Sequence, residues 1–197
     1  MSLVAAGGAL WLSGCDQRSS GHGTGSPFKG IDISGADYGR GFALADFNGT
    51  PRTLADFKGR VVMLYFGFVQ CPDVCPTALT RAAKVMQDLG PQAADLQVVF
   101  VTVDPERDTP ELLREYMASF HPSFLALTGN AEQIAQTAKE FRVYYKKVPT
   151  GSSYTMDHTA LSYLFDRQGH LRVVLRHEQG ADDYTTDVRT LLDERPA

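Results

Sequence analysis

The chain has 197 residues, a formal net charge of −4, 43% hydrophobic residues and 21% charged ones. That length suffices for one well-buried domain and the composition is ordinary for a globular protein. The acidic balance lacks the clustered basic surplus of a nucleic-acid binder, so partners are expected among proteins, small molecules or metal ions, with no nucleic acid.

Leu3 to Leu12 is almost continuously apolar or small and ends in Leu12-Ser13-Gly14-Cys15. The stretch has the length of a signal-peptide hydrophobic region and falls short of the roughly 18 to 20 apolar residues that cross a bilayer as a helix. The tetrapeptide resembles a bacterial lipobox, whose cysteine is acylated and becomes the first mature residue. Lipidated Cys15 is therefore expected to anchor the protein to a membrane, several acyl chains holding where one would not. One departure stands against the pattern: Met1-Ser2 supplies no Lys or Arg ahead of the apolar run. Arg18 to Pro27, rich in Ser and Gly and containing His22, reads as a flexible tether. Residues 1–27 are thus expected to be signal segment and tether, and residues 28–197 one folded domain.

Short extended pieces follow at Ile31 to Ile33, Phe42 to Leu44 and Thr53-Leu54, punctuated by Gly, Asn and Pro. Val61 to Phe66 is a six-residue apolar run, the signature of a central strand buried on both faces. Ala78, Leu79, Ala82, Val85, Met86 and Leu89 recur at helical spacing between Pro76 and Gly90-Pro91, which open and close a helix. A second buried strand is predicted at Val98 to Val103, a helix opened by Asp108-Thr109-Pro110-Glu111, a short strand at Phe124 to Leu127, and a helix capped by Asn130 and Gln133. Val143 to Val148 and Ala160 to Phe165 read as strands, the latter joined through Asp166 to Gly169 to Leu171 to Leu175 as an antiparallel hairpin. A last helix spans Asp182 to Leu192. Strands alternating with helices, then a terminal hairpin and helix, predict an α/β protein of thioredoxin-like fold: a central mixed sheet with helices on both faces.

Cys71-Pro72-Asp73-Val74-Cys75-Pro76 joins the central strand to the first long helix. This is the carboxyl end of a parallel strand, where open α/β sheets gather reactive groups. The helix start stabilises thiolates, which act as nucleophiles or as metal ligands. Two cysteines alone leave redox and metal chemistry open, and a plain structural disulfide as well. Soft thiolates select Cu(I), Zn or iron-sulfur clusters, and an added imidazole also suits Cu(II). Of the five histidines, His22 lies in the tether, His170 in a hairpin turn, His121 after a helix and His177 at a strand end. His158 follows Asp157 and leads straight into an apolar strand, which reads as a loop at a sheet edge. Asp73 and Asp157 are candidates to orient ligands or simply to cap and solvate. Asp108 or Thr109 is expected to cap the next helix, with Arg107 free to face the thiolates or a partner. Met156 is left to the core.

Six separated segments then converge on one family. Tyr65-Phe66-Gly67-Phe68, Cys71 to Pro76, Val103 to Thr109, Leu127-Thr128-Gly129, Val143-Tyr144-Tyr145 and Asp157-His158-Thr159 occur in its order. By them the chain resembles the Sco/SenC family of copper-binding assembly proteins. The resemblance implies a membrane-tethered thioredoxin-like domain that binds one copper, as Cu(I) or Cu(II), through Cys71, Cys75 and His158. It further implies a copper donor protein, and delivery to the binuclear copper A site of a cytochrome c oxidase subunit whose cysteines it can also reduce. The expected location is the cytoplasmic membrane, lipid-anchored and facing the periplasm or cell exterior.

Three rivals share parts of this pattern. A thiol-disulfide oxidoreductase would use Cys71 and Cys75 as a redox pair. Thioredoxins, however, carry CxxC and a facing cis-proline, whereas here the spacing is CxxxC and the nearest proline to His158 is Pro149. A peroxiredoxin would place Thr three residues before its cysteine, where this chain has Phe68. A copper or redox sensor would bind the metal and deliver it nowhere.

Overall fold

The computed structural model describes residues 25–194. The lipobox-like segment ending at Cys15, and the tether as far as residue 24 with His22, lie outside them. In chain order the elements are β1 (Ile31–Asp32), β2 (Ala43–Asp46), β3 (Pro51–Thr53), β4 (Val61–Gly67), α1 (Val74–Leu89), β5 (Leu96–Thr102), α2 (Pro110–Ala118), β6 (Leu125–Thr128), α3 (Ala131–Glu140), β7 (Tyr145–Thr150), β8 (Ser153–His158), β9 (Leu161–Phe165), β10 (Leu171–Arg176) and α4 (Ala181–Asp193).

Eight strands form one sheet in the order β1-β10-β9-β4-β5-β6-β2-β3. Its centre is parallel, β4 with β5 and β5 with β6, and the strands on both flanks run antiparallel. Every residue of β4 and of β5 is buried, as the apolar runs at their centres require, the polar Gln97 and Thr102 of β5 included. Helices α1 and α4 pack against each other, with α4 over β4, while α3 lies on β2 and α2 on β6. The mixed, helix-covered sheet read from the sequence is the one observed.

Helix signals acted as their chemistry dictates. Thr109 accepts a hydrogen bond from the Leu112 amide with Pro110 in the first turn, and Asn130 and Gln133 form a reciprocal capping box. Gly90 closes α1 at φ 56°, a positive angle that glycine adopts without steric cost.

One element departs from expectation. Ser153–His158 forms strand β8, paired antiparallel with β7 in a two-stranded arm separate from the main sheet. His158 therefore ends a strand, paired with Tyr145, and does not sit in a loop. Alternation along β8 turns Tyr154, Met156 and His158 the same way, toward the body of the domain. Met156 is buried, and Tyr154 and His158 half-buried.

Candidate metal centre

β4 ends at Gly67, and the chain turns through Phe68 to Asp73 before α1 begins at Val74. The turn is pinned from beneath. The Val103 amide donates to the Gly67 carbonyl at 2.8 Å, and the Val69 amide donates to Asp108 at 3.1 Å. Asp108 also accepts from the Thr102 hydroxyl at 2.6 Å. Burial pushes its carboxyl up to about 6, so an anion at neutral pH is tolerated there only through those donors. Sequence reasoning had Asp108 or Thr109 capping α2; Thr109 caps it, while Asp108 faces inward and moors the cysteine turn.

Both cysteines are free and buried. Cys75, in the first turn of α1, is fully enclosed, and its amide donates to the Cys71 sulfur at 3.4 Å. Across from them β8 delivers His158, whose Nε2 is 3.4 Å from Cys75 Sγ. One ligand atom from each of Cys71, Cys75 and His158 lies within 4.8 Å of the others. Among the described residues this is the one such cluster of His, Cys, Asp and Glu.

The imidazole is aimed by its surroundings. Its Nδ1 lies 3.1 Å from the Thr159 carbonyl, which can only accept, so Nδ1 carries the hydrogen and Nε2 turns its lone pair toward the sulfurs. Phe68 and Tyr65 set their rings nearly perpendicular to it, at 5.8 Å and 6.2 Å between centroids. Phe68, Cys71, Pro72, Val74, Met156 and His158 border a cleft of about 270 Å³ that opens the site to solvent.

The two thiols are unequal. A hydrogen bond from Cys75, with the Asp73 and Cys75 amides, pulls Cys71 down to about 4 against the cost of its burial. Burial, then the neighbouring Cys71 sulfur, drives the Cys75 thiol strongly upward. In the reduced, metal-free protein Cys71 is thus a thiolate and Cys75 its hydrogen-bond donor. Iodoacetamide is expected to alkylate Cys71 before Cys75, with a rate changing only a few-fold between about pH 8 and 6, where an ordinary thiol slows about 100-fold. Mass spectrometry of tryptic peptides reads both; equal labelling of the cysteines, or an ordinary pH profile, contradicts the assignment.

The donor set fits a soft metal: two thiolates satisfy Cu(I), and an added neutral imidazole suits Cu(II) or Zn. The other proposed contributors stand apart. Asp73 and Asp157 are exposed, and among the described residues neither side chain bonds a candidate ligand. His121 bonds Ser123, His170 faces Asp166, and His177 accepts from Arg81 through its carbonyl. Tyr65 was missed as part of the site because it sits inside a run that reads as core. Its buried hydroxyl has no oxygen or nitrogen partner and faces Cys75.

The family model SCO1/SenC matches residues 32–193. A SCO2-like protein of Rickettsia prowazekii is 41% identical over 131 residues, 65% of this chain and 64% of that protein's length. The mitochondrial SCO2 homolog of Bos taurus is 38% identical over 194 residues, 95% of this chain and 72% of that protein. Among solved structures, Bradyrhizobium japonicum ScoI with copper bound superposes with a TM-score of 0.72 at 39% identity, covering 79% of this chain and 99% of that one.

Proposed function

The chain belongs to the SCO1/SenC family, and from that membership we propose that it takes up one copper ion through Cys71, Cys75 and His158 and hands it to the binuclear copper A centre of a cytochrome c oxidase. The observation that carries the proposal is the convergence of two sulfurs and one aimed imidazole within 4.8 Å. Copper is cargo here, received from a donor protein and passed on. Two thiolates hold Cu(I) while a recipient replaces ligands one at a time, and the imidazole adds the donor that Cu(II) requires.

Residues 28–197 are proposed as the copper-binding domain, and residues 1–27 as leader and tether. Lipidated Cys15 would fix the domain to the outer face of the cytoplasmic membrane, facing the periplasm or cell exterior. Among the described residues no helix is long and apolar enough to cross a membrane.

The unequal thiols favour a second, auxiliary activity. The Cys71 thiolate can attack a disulfide in the recipient to give a mixed disulfide, which Cys75 resolves. One disulfide is thereby exchanged for another, and the recipient gains two thiols.

Titration of the reduced protein with Cu(I) and with Cu(II) is expected to give one copper per chain. His158→Ala is expected to weaken Cu(II) by about 100-fold while leaving Cu(I) within a few-fold, the loss of one ligand of several. Incubating the loaded protein with an apo copper A domain then reads transfer by that domain's visible spectrum. Cu(II) binding unchanged in His158→Ala, or no transfer, contradicts the proposal. Rapid reduction of insulin disulfides by the metal-free protein would move the reductase from auxiliary to principal role.

A further inference from the structure

The arm that carries His158 shares no strand pairing with the main sheet, yet its last residue must meet sulfurs on another element. Beside the buried Met156, the hydrogen bonds that hold it there gather on Arg107 and its partner Asp104. Arg107, in the β5–α2 loop, donates from Nε to the buried Asp104 and from Nη1 to the Tyr154 carbonyl at 2.7 Å and to Gln70 at 3.0 Å. Its guanidinium stacks 3.7 Å from the centre of the Tyr154 ring, whose hydroxyl closes the loop by donating to Asp104 at 2.8 Å. Gln70 precedes Cys71, and Tyr154 is four residues before His158 on the same face of β8. A planar, five-donor guanidinium therefore ties together the cysteine turn, the buried end of β5 and the histidine arm, a task for which a lysine ammonium lacks the fork.

Resting on the copper reading above, we infer that Arg107 is the positioning residue that seats the β7–β8 arm, and through it sets the preference of the site for Cu(II) over Cu(I). Arg107 touches no metal ligand itself. It fixes where the imidazole stands, and Cu(II) needs that imidazole more than Cu(I) does. The one other charged tie between the arm and this loop, Lys147 to Glu106, is exposed on both sides and contributes little.

The test uses Arg107→Ala, Arg107→Lys and Tyr154→Phe, each alone and combined with His158→Ala. Arg107→Ala is expected to weaken Cu(II) by about ten- to a hundred-fold, the size typical of groups that orient a ligand, with Cu(I) held within about three-fold. A ten-fold loss confined to Cu(II) raises the reduction potential by about 59 mV. Arg107→Lys restores little, and Tyr154→Phe gives a smaller loss with the same selectivity. In the His158→Ala background Arg107→Ala is expected to change Cu(II) affinity less than two-fold. Hydrogen exchange of the β7–β8 amides in the metal-free protein is expected to quicken at least ten-fold in Arg107→Ala while β4 and β5 keep their protection.

Equal weakening of both oxidation states, an undiminished loss in the His158→Ala background, or unchanged exchange in the arm overturns the inference. Should His158→Ala alone bind Cu(II) as tightly as the parent, the ligand assignment fails instead. The exchange data on the metal-free protein then decide separately whether Arg107 seats the arm. Arg107→Lys and Tyr154→Phe keep the question open to disproof if Arg107→Ala does not fold.

Discussion

Cys71→Ser/Cys75→Ser is expected to lose Cu(I) binding by about 10⁴-fold or more, taking each thiolate to be worth about 3 kcal/mol, the share of one ligand in a four-ligand structural zinc site of about 10–16 kcal/mol. The fold should survive the change. Serine is slightly smaller than cysteine, and among the described cysteines no disulfide staples the structure. The two single variants differ in kind. Cys71→Ser removes the resting thiolate, the sulfur that meets an incoming ion first, so uptake slows as well as weakens. Cys75→Ser leaves that thiolate, with a hydroxyl in place of the thiol that donates to it, but takes away the second sulfur. Chelator competition gives the affinity, and stopped-flow uptake separates the two variants. Retention of Cu(I) at parental affinity by the double variant would remove the sulfurs from the site.

Gly67→Ala is expected to be nearly as damaging without touching a ligand. A Cβ at position 67 would stand 2.8 Å from Cys75 Sγ and 2.7 Å from the ring of Phe100, which is fully buried. Real Cβ atoms do not approach so closely, so either the ring or the sulfur moves. The ring is stacked on Tyr65 and edged by Tyr116, which leaves the sulfur. Overpacking of this kind costs about 1–3 kcal/mol of stability. Displacing Cys75 by even a fraction of an ångström opens its contact with His158. Urea unfolding is expected to show that destabilisation together with at least a ten-fold loss of copper affinity, in keeping with misplacement of a ligand by its support. A variant of parental stability and affinity would show that the strand end has slack that the packing denies.

Most of the fold was legible because its strongest signals are local. Val61 to Phe66 and the stretch around Val98 read as strands covered on both faces by their shortness and β-branched content, and Thr109 and Asn130 announce their helices by the hydrogen bonds their side chains make. What escaped lacks such signals. Strand β8, Ser153–His158, is largely polar, with one buried residue, because it packs on the body through one face and pairs with a single neighbour. Its alternation is too faint to separate from a loop. The left-handed Arg142, at φ 55°, follows α3 where a glycine would have advertised the turn.

The site divides the same way. Cys71 and Cys75 identify themselves by spacing and by their place between strand and helix. His158 is 83 residues from Cys75 in sequence, and no periodicity links them; the family resemblance singled it out, and the geometry brings it to the sulfurs. The roles of Asp108 and Arg107 were invisible for a related reason. Each sits in a stretch that reads as a helix start, and only the folded chain reveals that one faces the cysteine turn and the other the histidine arm. Long-range supports of this kind are fixed by topology, which no window of sequence contains.

X-ray absorption of the Cu(II)-loaded protein, recorded beside its His158→Ala variant, tests the grip of two sulfurs and one imidazole on a single metal most directly. The parent is expected to show two sulfur scatterers and one imidazole, with a thiolate-to-Cu(II) charge-transfer band in the visible spectrum, and the variant the same sulfurs with the imidazole gone. Copper held by nitrogen and oxygen alone, or an imidazole that persists in His158→Ala, would contradict the assignment.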